Sequence, residues 1–324
     1  MNTYQIQGTD LKVSRLGYGC MNLGGRWDST PLTEADHSKA ARLVAYAVEQ
    51  GVTLFDHADI YTLGKSEAVF GSVLKDSPGL RPKLVLVSKC GIRLGGDAQP
   101  GDPKRYDFSN PHIVRSVEGS LRRLGTDYLD ILLLHRPDPL VEPDEVARAF
   151  DNLLRDGKVR YFGVSNHTAS QIALLQDSVN QRLVVNQVEL SLIHASLIDD
   201  GIRANQEDTG HAGADGTLDY CRLHGILIQA YAPVAKGRLI DPPPSSDERT
   251  VAAARAVARM AEAKGTTREA VALAWLLRHP APIQPIIGTT NLERMTASLR
   301  ANRVELSREE WYTLFVAARG GAVP

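Results

Sequence analysis

Short apolar runs rich in β-branched residues alternate along the chain with longer segments whose apolar positions recur at helical spacing, the pattern of βα units around a parallel sheet. The runs predict strands at Leu16–Gly19, Thr53–Phe55, Leu84–Ser88, Leu129–Leu134, Tyr161–Val164, Val184–Gln187, Ile226–Ala230 and Ile283–Ile287. Between them the spacing predicts helices over Thr33–Gln50, Lys65–Leu74, Pro111–Leu124, Pro143–Asp156, Ala169–Asp177, Asp215–His224, Glu248–His279 (split near Gly265) and Leu292–Ala301, with a last helix over Ser307–Ala318. The runs LVLVSK (84–89) and YLDILLLH (128–135) are apolar at nearly every position, as strands covered on both faces are. Eight strand–helix units predict an α/β fold of the closed (β/α)8 barrel type, since a doubly wound open sheet usually needs fewer strands.

The start, TYQIQGTDLKVS, reads as a polar hairpin turning at Gly8–Thr9 ahead of the first barrel strand. No linker or repeat divides the chain, and PPPSS at 242–246 reads as a surface loop, so residues 1–324 are expected to form one barrel domain. Two connections are too long for simple turns: Cys90–Ser109, with Gly91, Gly95, Gly96 and Gly101, and Ser191–Ala214, with the run RANQEDTGHAG. Both follow strands, on the face where barrel enzymes carry their sites.

Composition narrows the function classes. The 324 residues are 43% hydrophobic and 23% charged, an ordinary globular mixture. Lys+Arg (37) and Asp+Glu (38) nearly cancel to a formal charge of -1, which removes the basic field nucleic-acid binding needs. Cys20, Cys90 and Cys221 are odd in number and widely spaced, fitting neither a disulfide framework nor a CxxC pair. The opening MNTYQIQGTD has no basic or apolar signal region, and no apolar run approaches the roughly 18 residues of a membrane span. A cytoplasmic protein without membrane or nucleic-acid partners is expected. No HExxH or paired-cysteine spacing occurs, so no metal is expected.

Polar residues that end apolar barrel strands point to the site. The second strand runs into Asp56, with Tyr61 five residues on; the third ends in Lys89 and the fourth in His135. Singly, each has a structural reading: a turn cap, a rim aromatic, a solvated lysine, a backbone-bonded histidine. Together they place a carboxylate, a phenol, an ammonium and an imidazole on one rim, a set suited to proton transfer. An ammonium beside a phenol favours the phenolate and is expected to lower the Tyr61 pKa, with Asp56 holding Lys89 protonated and His135 orienting a carbonyl oxygen. A hydride donor would complete a carbonyl reduction.

The chain resembles the aldo-keto reductase superfamily along almost its whole length. The resemblance rests on LGYGCMNLGG (16–25), FDHADIY (55–61) with Ser66–Glu67, LVSKCG (86–91), LLLHRPDPL (132–140), GKVRYFGVSNHT (157–168), VNQVELS (185–191), YAPVAKGRL (231–239) and IIGTTNLERM (286–295). It implies a (β/α)8 barrel binding NADP(H) without a Rossmann fold, with Asp56, Tyr61, Lys89 and His135 as catalytic tetrad. It further implies that Ser165, Asn166 and Gln187 hold the nicotinamide carboxamide, that Tyr231 stacks on the ring, and that Cys20 and Met21 lie beside the ribose. Helix capping is the competing reading for Ser165 and Asn166. A separate dinucleotide fingerprint fails, because Gly17–Gly19 is followed by Asn22 where the third glycine belongs. For the phosphates, Ala232, Pro233, Val234, Lys236, Gly237 and Arg238 follow the seventh strand; Ile287 ends the eighth, and Gly288, Thr289, Thr290, Asn291 and Arg294 lead from it into a helix, where barrels bind phosphate. Arg294 suits a ribose 2′-phosphate. Relatives that read adenine with a Glu-Asn pair further along this helix differ from this chain, which has Ala297 and Ser298 there.

The expected function is NADPH-dependent reduction of aldehydes or ketones, with a small-molecule carbonyl substrate lined by Trp27, Tyr61, His135 and Arg136. Two alternatives stand beside it: a Schiff-base aldolase using Lys89, and a non-catalytic NADP(H)-binding regulator.

Overall fold

In the computed structural model, which describes residues 3–202 and 215–324, the eight apolar runs close into a barrel. Strands β1 (Thr3–Gln5) and β2 (Lys12–Ser14) form an antiparallel hairpin. The barrel strands are β3 (Gly17–Gly19), β4 (Leu54–Asp56), β5 (Val85–Cys90), β8 (Leu129–Leu134), β9 (Val159–Ser165), β10 (Leu183–Glu189), β11 (Leu227–Tyr231) and β12 (Ile283–Ile287). All neighbours pair in parallel and β12 closes onto β3. The long loop after β5 carries its own ribbon, β6 (Ile92–Arg93) with β7 (Arg105–Tyr106), pinned by Arg93 to Asp97 and Asp107. Of the second long loop, helix α6 (Ser196–Asp199) is described, while the RANQEDTGHAG expectation lies outside the described residues.

Helices α1 (Glu34–Glu49), α2 (Lys65–Asp76), α3 (Asn110–Leu124), α4 (Pro143–Arg155), α5 (Ala169–Ser178), α7 (Thr217–Leu223), α8 (Glu248–Ala263), α9 (Arg268–Leu277), α10 (Leu292–Leu299) and α11 (Arg308–Arg319) complete the chain. Capping boxes Thr33/Asp36, Thr168/Gln171 and Ser307/Glu310 start α1, α5 and α11, satisfying backbone donors that a helix start leaves free. The expected break falls at Gly265, left-handed at φ +59° between α8 and α9. Among the described residues no helix is long and apolar enough to cross a membrane.

The period-2 alternation of each strand divides its residues between two cores. One phase, including Phe55, Leu86, Leu132 and Ile228, packs outward against the helices. The other, including Leu54, Val85, Val87, Ile131, Leu133, Val185, Leu227 and Ile286, fills the barrel. Room inside is tight: a Cβ on Gly163 would lie 2.6 Å from the Val185 carbonyl and 2.8 Å from Leu133. The hairpin read as polar is polar on its outer face only. Ile6, Leu11 and Val13 are buried with the barrel-filling residues and plug the N-terminal mouth.

Candidate active site

The inward phase that is apolar at the base of the barrel turns polar at its C-terminal rim. Two residues beyond Leu54, Val87, Leu133, Val185 and Ile286 come Asp56, Lys89, His135, Gln187 and Gly288, so the pleat brings the expected residues into one space. β4, β5 and β8 are consecutive in the barrel, as the pattern required.

Lys89 is the hub. Its Nζ, almost fully buried, donates to Asp56 Oδ1 at 2.7 Å, to the His57 carbonyl at 2.8 Å and to the Tyr61 hydroxyl at 3.1 Å. Three partners use three ammonium protons. Burial alone would lower the Lys89 pKa, but Asp56 and Tyr61 together outweigh it and the net direction is upward. A charged, fully bonded ammonium has no lone pair to attack a carbonyl, which counts against the Schiff-base reading.

Tyr61 corrects one expectation. The Lys89 charge does pull the phenol pKa down, but burial is the larger effect and the net direction is up. The phenol therefore keeps its proton at neutral pH. Because the ammonium donates to the phenol oxygen, the O–H proton is free for another acceptor. Tyr61 opens a tight 3₁₀ turn whose next residues, Thr62 and Leu63, are left-handed at φ 48° and 60°. Thr62 Oγ1 bonds the Tyr61 carbonyl at 2.8 Å and Ser66 Oγ at 2.9 Å, and Ser66 reaches the Met21 carbonyl at 3.0 Å. This seam needs a glycine at 24, where a Cβ would lie 2.3 Å from Thr62 Oγ1 and 2.5 Å from the Ser66 nitrogen. The same approach sets Trp27 edge-on to the Tyr61 ring at 6.4 Å.

His135 faces Tyr61 on its other side, with ring centroids 5.9 Å apart. Burial, then the charges of Lys89, Arg136 and Lys104, hold its pKa well below the usual imidazole range, so it is neutral. Its Nδ1 is sealed without a partner among the described residues, leaving Nε2 as the nitrogen able to meet a ligand.

The wall beyond β8 is built of amides and hydroxyls. Ser165 Oγ donates to the Gln187 carbonyl at 2.8 Å and accepts from Asn166 Nδ2 at 2.8 Å. Asn166, left-handed at φ 62°, also reaches the His135 carbonyl at 3.3 Å and accepts from the Tyr231 hydroxyl at 3.0 Å; Arg136 donates to that hydroxyl at 3.2 Å. Capping does not explain Ser165 and Asn166, since Thr168 caps α5. Cys20 is buried, its N–H on the Asp56 carbonyl at 2.9 Å, and Met21 is exposed at the rim.

Sequence reasoning missed two members of this wall. Gln187 Nε2 donates to Asp56 Oδ1 at 2.8 Å and to Gln229 Oε1 at 2.9 Å; Gln229 Nε2 donates to Gln284 Oε1 at 2.8 Å, and Gln284 Nε2 to the Ser14 carbonyl at 2.6 Å. The signal was present: a glutamine in the inward phase of an otherwise apolar strand must find partners inside. Behind the rim lie two carboxyls, Asp59 and Glu67, which fall within the motifs FDHADIY and Ser66–Glu67 but to which sequence reasoning assigned no role. Glu67 is fully buried on Ser88 and Arg123, and Asp59 is pushed up to about 7 by burial and by Glu67.

On the last two loops, Lys236, Arg238 and Arg294 are exposed and have no carboxylate partner among the described residues. Arg294 stands in the first turn of α10, where the helix dipole disfavours a cation. Val234 packs with the Ile287 and Leu299 cluster, which holds the two loops together, and Ala232 and Lys236 take left-handed backbone at φ 49° and 56°. A Cβ on Gly288 would meet nothing within 4 Å, and Tyr18 ties down Thr289 through its carbonyl at 3.0 Å. Ser298 is turned back onto the Arg294 carbonyl at 2.8 Å and Ala297 has no donor to offer, so neither replaces the Glu-Asn pair.

A proton-bearing phenol paired with an ammonium and faced by a neutral imidazole, set at the C-terminal rim of a parallel barrel, makes a site equipped for proton transfer. The comparison with known proteins agrees: the Aldo/keto reductase family model matches residues 15–315, and the chain belongs to that family. It is 38% identical over 314 residues to a 6-dehydroglucose reductase of Agrobacterium fabrum, with 97% of each chain covered. It is 37% identical over 316 residues to the oxidoreductase YcsN of Bacillus subtilis, again with 97% of each covered. The holo form of an aldo-keto reductase from Bacillus halodurans superposes with a TM-score of 0.77 at 26% identity, spanning 98% of this chain and 96% of that one.

Proposed function

We propose that this chain is an NADPH-dependent reductase of aldehydes or ketones, working as one barrel domain over residues 1–324, with Tyr61 as the general acid. The observation that carries the reading is the bonding of Lys89, whose ammonium joins Asp56 and Tyr61 in one buried network. Nicotinamide dinucleotide, a hydride donor when bound, fits the residues present. Its carboxamide matches the amides of Gln187 and Asn166 beside Ser165 and Tyr231, with Cys20 and Met21 near the adjoining ribose. Its phosphates match the backbone of residues 232–238 and 287–290 with Lys236 and Arg238, and the 2′-phosphate of the NADP form matches Arg294 with Thr289 and Thr290.

The substrate carbonyl sits between Tyr61 and His135, walled by Trp27 and Arg136. His135 Nε2 holds the carbonyl oxygen, and the Tyr61 proton moves to that oxygen as negative charge develops on it. An alkoxide is far more basic than a phenolate, so the transfer runs downhill even from a phenol raised by burial. Lys89 then stabilises the phenolate left behind, and Asp56 keeps Lys89 charged.

A panel of aldehydes and ketones followed by NADPH absorbance, repeated with NADH, tests the reading. Turnover with a preference for NADPH is expected. Tight cofactor binding with no turnover on any carbonyl would instead favour the regulatory role, and covalent trapping of a carbonyl on Lys89 by borohydride the aldolase role.

A further inference from the structure

We propose that Gln229 and Gln284, which touch neither substrate nor the tetrad, are positioning residues: with Gln187 they form a one-way amide relay from the Ser14 backbone carbonyl to Asp56 that fixes which atom of Gln187 is presented to the nicotinamide carboxamide. The inference rests on the NADP(H) reading above.

The relay follows the tilt of the barrel. Gln187 is the fifth of seven residues in β10, Gln229 the third of five in β11 and Gln284 the second of five in β12, and the three are paired in register. Each step to the next strand thus descends toward the N-terminal mouth. All three are buried, so each amide must be satisfied by its neighbours.

Direction follows from the two ends, which can only accept. The Ser14 carbonyl takes a proton, so Gln284 must turn its NH2 downward and its oxygen toward Gln229. Gln229 must then donate to Gln284 and accept from Gln187. Gln187 supplies that proton with one N–H and gives the other to Asp56. Both donors of Gln187 are thereby committed, and two anchors fix the plane of its amide. Its Oε1 takes no hydrogen bond among the described residues, so the group left for a ligand is an acceptor, the complement of a carboxamide NH2. A reversed Gln229 would present a donor to Gln187 and compete with Asp56 for its orientation. Ser14 prevents that reversal from the far end of the barrel, where its own Oγ and N–H are tied to Leu16 and Thr53.

The test uses dissociation constants, read by quenching of intrinsic fluorescence, for NADP+ and for its 3-acetylpyridine analogue, whose methyl ketone cannot donate a hydrogen bond. The wild type is expected to prefer NADP+ by about tenfold, the worth of one neutral hydrogen bond. Gln229→Met, which removes the acceptor for Gln187, is expected to bring the two ligands within about twofold. Gln229→Glu is expected to restore the preference, because a buried carboxyl keeps its proton and can donate to Gln284 while accepting from Gln187. Gln284→Met, acting through Gln229, is expected to lower the preference by a smaller factor, and it carries the test if Gln229→Met fails to fold. A purely structural role would weaken both ligands equally. Equal losses, an undiminished preference in both Met variants, or a wild type that binds both ligands alike would overturn the relay. A wild type that binds neither dinucleotide would instead overturn the cofactor reading on which it rests.

Discussion

Lys89 and Asp56 sit almost wholly out of water, at 1% and 4% side-chain exposure, with their charges 2.7 Å apart. Lys89→Met leaves the Asp56 carboxylate with one remaining side-chain donor, Gln187 Nε2. Breaking a buried pair by removing one partner costs roughly 3–5 kcal/mol, mostly the penalty of the stranded charge. Asp56→Asn strands Lys89 in the same way, leaving it the His57 carbonyl and the Tyr61 oxygen. In the double variant no charge is stranded, and an amide at 56 can still accept from Gln187. The double variant is therefore expected to be more stable than the sum of the single losses predicts, by at least about 2 kcal/mol, within the range of contacting residues. Urea unfolding of all four proteins at fixed pH, with midpoints compared at unchanged m-value, measures this coupling. All three variants should be severely impaired as reductases. Losses that add to within about 0.5 kcal/mol would show that the two charges do not act as a pair, and the reasoning about the tetrad would be wrong.

Arg294→Ala is expected to weaken NADPH binding by about 10- to 100-fold, the worth of a charge-assisted hydrogen bond, while leaving NADH nearly unchanged. The difference should shrink at high salt, and fluorescence titration of both cofactors reads it; equal losses would assign Arg294 to the shared pyrophosphate or to the fold. Asp59 gives a pH-dependent stability. Burial and Glu67 raise it in the folded chain from 3.8 to about 7, so its contribution is full below about pH 4 and is lost as pH rises through 7. The melting-temperature gain of Asp59→Asn over wild type should accordingly grow between pH 5 and pH 8, and a constant difference would contradict the raised pKa of Asp59 and the desolvation that chiefly causes it.

The barrel was legible because its strands are largely apolar on both phases and its helices repeat apolar residues at helical spacing, both of which are local properties. Asp56, Lys89 and His135 were legible for a related reason: a polar residue at the end of an apolar run stands out, and Tyr61 was found by its place five residues beyond Asp56. Gln229 and Gln284 did not stand out, because each lies inside a strand and acquires meaning only when neighbouring strands are set in register. The hairpin misled in the same way, since Ile6, Leu11 and Val13 look sparse in sequence yet share one face. The direction of the Tyr61 shift depended on weighing burial against one nearby charge, and burial is a property of the assembled rim. Gly24 and the left-handed Thr62–Leu63 turn belong to a contact between two distant loops, which no single segment announces.

The central claim is that the Tyr61 proton goes to the carbonyl oxygen of the substrate. Single-turnover reduction of an unactivated aldehyde by Tyr61→Phe, with NADPH affinity measured on the same protein, tests it most directly. The account predicts a rate lower by at least about 100-fold, the lower range for loss of a general acid, with cofactor affinity nearly unchanged. A variant that keeps most of its single-turnover rate would show that the proton comes from elsewhere.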